Sequence, residues 1–357
     1  HQVARASTRS HSDGREGDRT ANASKRDEDS TTDWHDVDEN TLDTSIPYRY
    51  STRDDPNESI AVFFYDGPTS RAIAFENLLK SSSHLIDALA AATGDKTMIN
   101  IATDGETYGH HFKFGDLCLA HALRNEAPAR GFTITNYGEY LDQNSPASEI
   151  EINNGPDGRG TSWSCPHGVG RWLRDCGCRT GGEENWNQSW RTPLREALDF
   201  LRDENVKHFE ATRGRLFTFP WLARDESISL VLDPRRSREQ FLFDHAGRWM
   251  SAEERWRALM YLELQRMLLL MYTSCGWFFN DISGIETIQI LKYAARAIDL
   301  MAQLHLPSVR DKFLGILSEA KSNRVELGNS ADIFLRFVEP SNPDHSGSTV
   351  KLEVLTA

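Results

Sequence analysis

The chain has 357 residues, enough for a large core and two domains. Its 40 basic and 53 acidic side chains leave a formal net charge of −13, which argues against nucleic acid as a partner. The most apolar helical stretch, 258–272, is interrupted by Glu263, Gln265 and Arg266 and does not read as a membrane span. Five cysteines, an odd number with one Cys-x-Cys pair, do not form the pattern of a secreted disulfide framework. No apolar leader precedes residue 59, and the expected compartment is the cytoplasm.

In chain order, residues 1–45 are rich in Ser, Thr, Asp, Arg and Asn, and are expected to be a disordered polar tail. The segment 46–145 alternates apolar runs with helical periodicity. Strands are expected at 59–66, at 98–101 and within 131–141, with helices at 70–79, 84–92 and 114–123. Three such alternations argue for a parallel α/β arrangement. Residues 146–250 are loop-rich, carry most of the Cys and Trp, and include a helix at 194–209 and a strand-like run at 227–233. Strong helical periodicity at 252–272, 286–304 and 308–320 makes 251–340 a helical bundle, followed by a tail at 341–357.

The densest chemistry lies at 97–116, TMINIATDGETYGHHFKFGD. An apolar run stops at Asp104-Gly105, a turn dipeptide, and Asp104, Glu106, His110, His111 and Asp116 crowd behind it. Carboxylates and imidazoles at the end of a strand are the raw material of α/β active sites. A purely structural reading is a polar loop whose Asp caps the next helix.

The order Asp104-Gly105-Glu106-Thr107-Tyr108-Gly109 resembles the fourth conserved region of glycoside hydrolase family 57. The longer string through Asp116, with SWSCPHGVGRW, CGC and YTSCGWFFNDISGIET further on, resembles the domain-of-unknown-function family 3536 branch of that superfamily. The resemblance covers about 56–340. It implies a (β/α)7 barrel followed by a helical bundle, of which a partial barrel is expected here. It further implies retaining chemistry on an α-glucan or oligosaccharide, with Asp104 as general acid/base and no cofactor required. Glu106, His110, His111, His167 and Trp277 become candidate sugar contacts, Trp277 by stacking. The family's nucleophilic Glu comes from an earlier strand, which the 1–45 segment does not supply, so the chain reads as a C-terminal fragment or an inactive relic. Two other readings stay open: a non-catalytic glucan-binding relic, and a metal-dependent, deacetylase-like hydrolase using His110 or His111 with Asp104.

A second constellation is Cys165-x-His167-x8-Cys176-x-Cys178. Three soft thiols and one imidazole make a tetrahedral zinc donor set, provided the backbone bends at Cys-x-Cys. The competing reading is a group of buried free thiols. A third use, His167 facing sugar, excludes His167 as a zinc ligand.

Overall fold

The computed structural model describes residues 3–8, 33–38, 41–52, 58–233 and 235–339. The chain divides into two compact units, His1–Trp163 and Ser164–Ala357. The loop expected to open the second part, 146–163, therefore belongs to the first unit, because it supplies a strand to that unit's sheet.

The sheet has five strands, β1 (Val3–Thr8), β2 (Asp33–Asp36), β3 (Tyr48–Ser51), β4 (Ser59–Val62) and β5 (Ser148–Ile152), in the order β2-β1-β5-β3-β4. Three of its four pairings are antiparallel, and β3–β5 alone is parallel. A mixed sheet of this kind replaces the expected parallel barrel segment. Two strands also fall in the segment expected to be disordered, where Ala6 is buried with Tyr48, Val37 and Ile150. The rest of that segment up to 32, with 39–40, and the expected tail at 341–357 lie outside the described residues.

Only one of the three strands expected in the 46–145 segment forms as read, and it is shortened to β4. The run 98–104 is extended but unladdered: Asp66 N–H donates to Asn100 O at 2.6 Å and Ala102 N–H to Ser70 Oγ at 3.1 Å. A strand needs a full partner, and this run has single anchors in its place. At 131–141 the helix Tyr137–Gln143 displaces the expected strand. Asn136 caps it by accepting from Glu139 N–H, a start signal (Asn followed three residues later by Glu) that outweighs the β-branched run before it. The expected helices stand as Gly67–Phe75, Ser82–Thr93 and Gly115–His121, and their buried faces meet at Ile73, Leu85, Ile86 and Ala122.

The second unit is helical. Its principal helices are Arg191–Glu210, Ala252–Leu270, Ile285–Gln303 and Arg310–Leu317, close to the expected spans. The run at 227–233 is a short helix, Ile228–Leu232, rather than a strand, since a five-residue apolar run fits either period. Leu194, Ala197, Leu198 and Leu201 line one face of the first long helix and pack into a core shared with Leu264, Leu268, Leu291 and Ala294. Ala252–Leu270 is buried on almost every side from Ala258 to Gln265, as expected of a central core helix. No helix among the described residues is long and apolar enough to cross a membrane.

Candidate functional site

In the first unit the Asp-Gly-Glu loop folds as a single 3-10 turn, Gly105–Thr107, directly after the extended 98–104 run. Asp104 sits at the position that would cap this turn, but its side chain makes no capping hydrogen bond. Its carboxyl is exposed. Asp66, at the end of the neighbouring extended segment, does cap its helix, accepting from Thr69 N–H at 2.9 Å. The structural reading made for Asp104 thus describes Asp66 instead.

The loop is braced by the main chain. Glu106 O accepts from both His110 N–H (3.1 Å) and His111 N–H (2.9 Å), and Tyr108 OH meets Thr103 Oγ1 at 2.7 Å. Gly109 has φ +129°, a conformation that L side chains rarely adopt, and it permits the reversal between the two. Glu106, His110 and His111 are exposed, and the two imidazoles stand edge to face with centroids 5.1 Å apart. Among the described residues these imidazoles form no metal-ligating group of three with Asp104, as the deacetylase-like reading would need.

The same unit contains an open concavity of about 1330 Å³ whose lining includes Phe64, Tyr65, Asp66, Arg71, Lys96 and Trp163. Trp163 is 57 % exposed and stands edge-on to Tyr65, centroids 6.2 Å apart. The Asp104 loop is not part of that lining. The sequence marks Trp163 only as part of a Trp-rich stretch and Tyr65-Asp66 only as the end of an expected strand, so neither stands out as a site residue. The available signal was a strand ending in Tyr-Asp-Gly-Pro, the same kind of turn as at Asp104.

In the second unit Trp277 is 1 % exposed and stacks on Tyr272 with ring planes 5° apart. A ring sealed in the core cannot lie on a sugar, so the stacking role expected for Trp277 is corrected. Its main-chain O instead accepts from Arg191 Nε at 3.0 Å.

Cys165, His167, Cys176 and Cys178 converge, their ligand atoms all within 4.8 Å of one another. Cys165 Sγ lies 3.8 Å from Cys176 Sγ and 3.7 Å from Cys178 Sγ. His167 Nδ1 lies 3.5 Å from Cys178 Sγ and 3.9 Å from Cys165 Sγ. Nδ1 is turned to the thiols, as the metal reading needs, while His167 as a residue is exposed. Cys165 is buried while Cys176 and Cys178 are half-buried. Burial pushes the Cys165 thiol up, but hydrogen bonds from Arg171 N–H and from His167 outweigh it and bring it down to about 7. Burial pushes the Cys178 thiol up, its neighbouring cysteines add to this, and it reaches about 11.

Beside this group lies Arg191, wholly buried. Its Nη1 donates to Cys178 O at 2.9 Å and its Nη2 to Phe279 O at 3.3 Å. Burial lowers its pKa. Arg171, also buried, donates to Phe278 O at 3.2 Å and covers the Phe278 ring at 4.2 Å.

Two family matches cover most of the chain. Residues 21–153 match Glycosyl hydrolase family 57, and residues 186–353 match Domain of unknown function (DUF3536). No curated protein matches the chain. Among solved structures, an exo-type maltose-forming amylase from Pyrococcus sp. ST04 is similar at 15 % identity and a TM-score of 0.49, over 85 % of this chain. The chain spans 62 % of that amylase's length. The first match holds the Asp-Gly-Glu motif and the second holds YTSCGWFFNDISGIET, so the first part of the chain is similar to family 57 and the second to the DUF3536 domain, with Cys165–Cys178 lying between the two.

Proposed function

We propose that the chain is a carbohydrate-active module of the retaining glycoside hydrolase kind, acting on an α-glucan or related oligosaccharide, with Asp104 as general acid/base. The observation that carries this reading is the placing of Asp104 within the family 57 segment. It ends an extended run, faces solvent, and spends its side chain on no cap. Retention needs two carboxyl groups about 5–5.5 Å apart, one to attack and one to protonate the leaving oxygen and then activate water. Asp104 takes the second part. The attacking carboxylate is the one that the sequence reading does not find in this chain, so turnover is assigned to a protein that also supplies it. Glu106, His110 and His111 are placed on the same exposed loop, where they can hydrogen-bond sugar hydroxyls. The odd cysteine count with one Cys-x-Cys pair, unlike a secreted disulfide framework, is what supports the cytoplasmic reading.

The open concavity with an exposed Trp163 favours a second reading, in which the module binds glucan without cleaving it. One experiment separates the two. In a protein that joins this chain to a strand-borne nucleophilic Glu, Asp104→Asn is expected to lower kcat by ~10²–10⁴ while maltooligosaccharide affinity stays within about twofold. Trp163→Ala is expected to weaken binding more than kcat. Loss of less than about tenfold in kcat for Asp104→Asn would make Asp104 an ordinary loop residue. Binding without any turnover in the parent protein would leave the non-catalytic reading standing.

A further inference from the structure

We propose that Cys165, His167, Cys176 and Cys178 form a closed structural zinc site in the second unit. The first argument is geometric. Zinc–sulfur bonds of about 2.3 Å and a zinc–nitrogen bond of about 2.0–2.1 Å, set tetrahedrally, require S···S edges of about 3.8 Å and S···N edges of about 3.5 Å. Four of the six edges are 3.7 and 3.8 Å between sulfurs and 3.5 and 3.9 Å from Nδ1 to sulfur, and all six fall within 4.8 Å, so a small inward shift of Cys176 completes the tetrahedron. A disulfide among these cysteines would need about 2.05 Å between sulfurs, well inside these separations.

The second argument is the backbone that builds the group. A Cys-x-Cys pair reaches one ion only when the chain bends sharply between the two. Gly177 supplies the bend with φ +77°, and its N–H is held by Asp175 Oδ1 at 3.0 Å. Gly168, directly after His167, has φ +67° and turns the chain back. Gly170 lets the two halves close: a Cβ there would stand 3.2 Å from Cys176 Cβ and 3.3 Å from His167 Cβ.

The third argument is charge. Arg191 is wholly buried and spends three donors on main-chain carbonyls. A guanidinium keeps its charge under such conditions. Zn²⁺ with three thiolates and a neutral imidazole carries one net negative charge, next to a cation that is bonded to Cys178 O itself. Binding releases the three thiol protons to solvent. All four positions are filled by protein, which leaves none for water or substrate and makes the role structural. What the ion holds in place is the segment from Cys165 to Cys178, which Arg191 ties to Trp277 O and Phe279 O.

The test is metal analysis of the full chain, expressed with zinc in the medium and purified without chelator. One zinc per chain is expected, together with the ligand-field and thiolate charge-transfer absorption of a tetrahedral site after cobalt exchange. Cys176→Ser and Cys178→Ser are expected to lose the zinc. His167→Cys, which keeps four ligands, is expected to retain it, whereas His167→Ala does not. Should the serine variants fail to fold, a strong chelator applied to the wild-type chain is expected to extract one zinc and lower Tm by several degrees. A folded wild-type chain with no bound zinc and its cysteines all titratable as free thiols would overturn the proposal. So would a disulfide found among the three cysteines, or iron in place of zinc.

Discussion

Glu263 lies 7 % exposed in the middle of the helix Ala252–Leu270, with Oε2 unpartnered and Oε1 3.3 Å from Arg266 Nη1. Burial raises its pKa, and the nearby Arg266 and Arg296 only partly offset this. A carboxyl whose folded pKa is raised stabilises fully below its unfolded pKa, and that contribution is lost as pH rises through the folded value. At neutral pH the charged form therefore weighs against folding. Glu263→Gln, which keeps the shape and removes the charge, is expected to raise stability by about 1 kcal/mol at pH 7 and by little at pH 4. Urea midpoints at the two pH values check it, and an equal effect at both would remove desolvation as the cause. The ion pair with Arg266 was legible from the i, i+3 spacing, but the burial of the carboxylate was not, because spacing says nothing of what packs over a helix face. Trp277 shows the same limit: its residue type fits sugar stacking and core filling equally, and the surrounding helices decide for the core. Cys165, His167, Cys176 and Cys178 were legible as a donor set, while the bend that gathers them depends on one glycine's φ.

Among the elements, the contact between the short helix Cys275–Phe278 and the helix Ile285–Gln303 leaves no room for a side chain. A Cβ on Gly276 would stand 2.5 Å from Ile290 Cδ1 and 2.9 Å from both of its γ carbons. Ile290 is buried and stiff at χ1, so it cannot swing aside. Gly276 O also accepts from Thr287 Oγ1 at 2.7 Å, which fixes the short helix from the other side. Gly276→Ala is expected to cost about 1–3 kcal/mol. In an Ile290→Ala background, itself destabilised by the cavity, Gly276→Ala is expected to cost clearly less, and a double-mutant cycle by thermal or urea unfolding reads the coupling. Strictly additive losses would show that the two do not touch. Long helices such as Arg191–Glu210 and Ala252–Leu270 were legible because many apolar positions repeat one period. The strands were not. β1 and β2 are short and come from polar text, and the extended 98–104 run is decided by whether a partner lies alongside.

In the whole molecule the second unit carries its own continuous core, from Trp190 to Val338. A chain cut to residues 164–339 is therefore expected to fold by itself, with one cooperative melt and the same metal content as the parent. Calorimetry and metal analysis of that fragment check this. A broad, non-cooperative transition would show that the core needs the rest of the chain. The first unit is built on the opposite plan. Ala6 on β1 pairs with Ile150 on β5, and β1 also joins β5 to β2, so the sheet of the described residues is closed by a pairing across a long stretch of chain. Such a pairing is slow to form, because a long stretch of chain must be brought together before any of it is stabilised. On a ribosome β5, the partner of β1 on the side away from β2, emerges only after the helices Gly67–Phe75 and Ser82–Thr93 have been made. During that interval β1 lacks the β5 partner it has in the finished sheet, and synthesis speed, or a chaperone bound early, would decide how much nascent chain reaches that sheet.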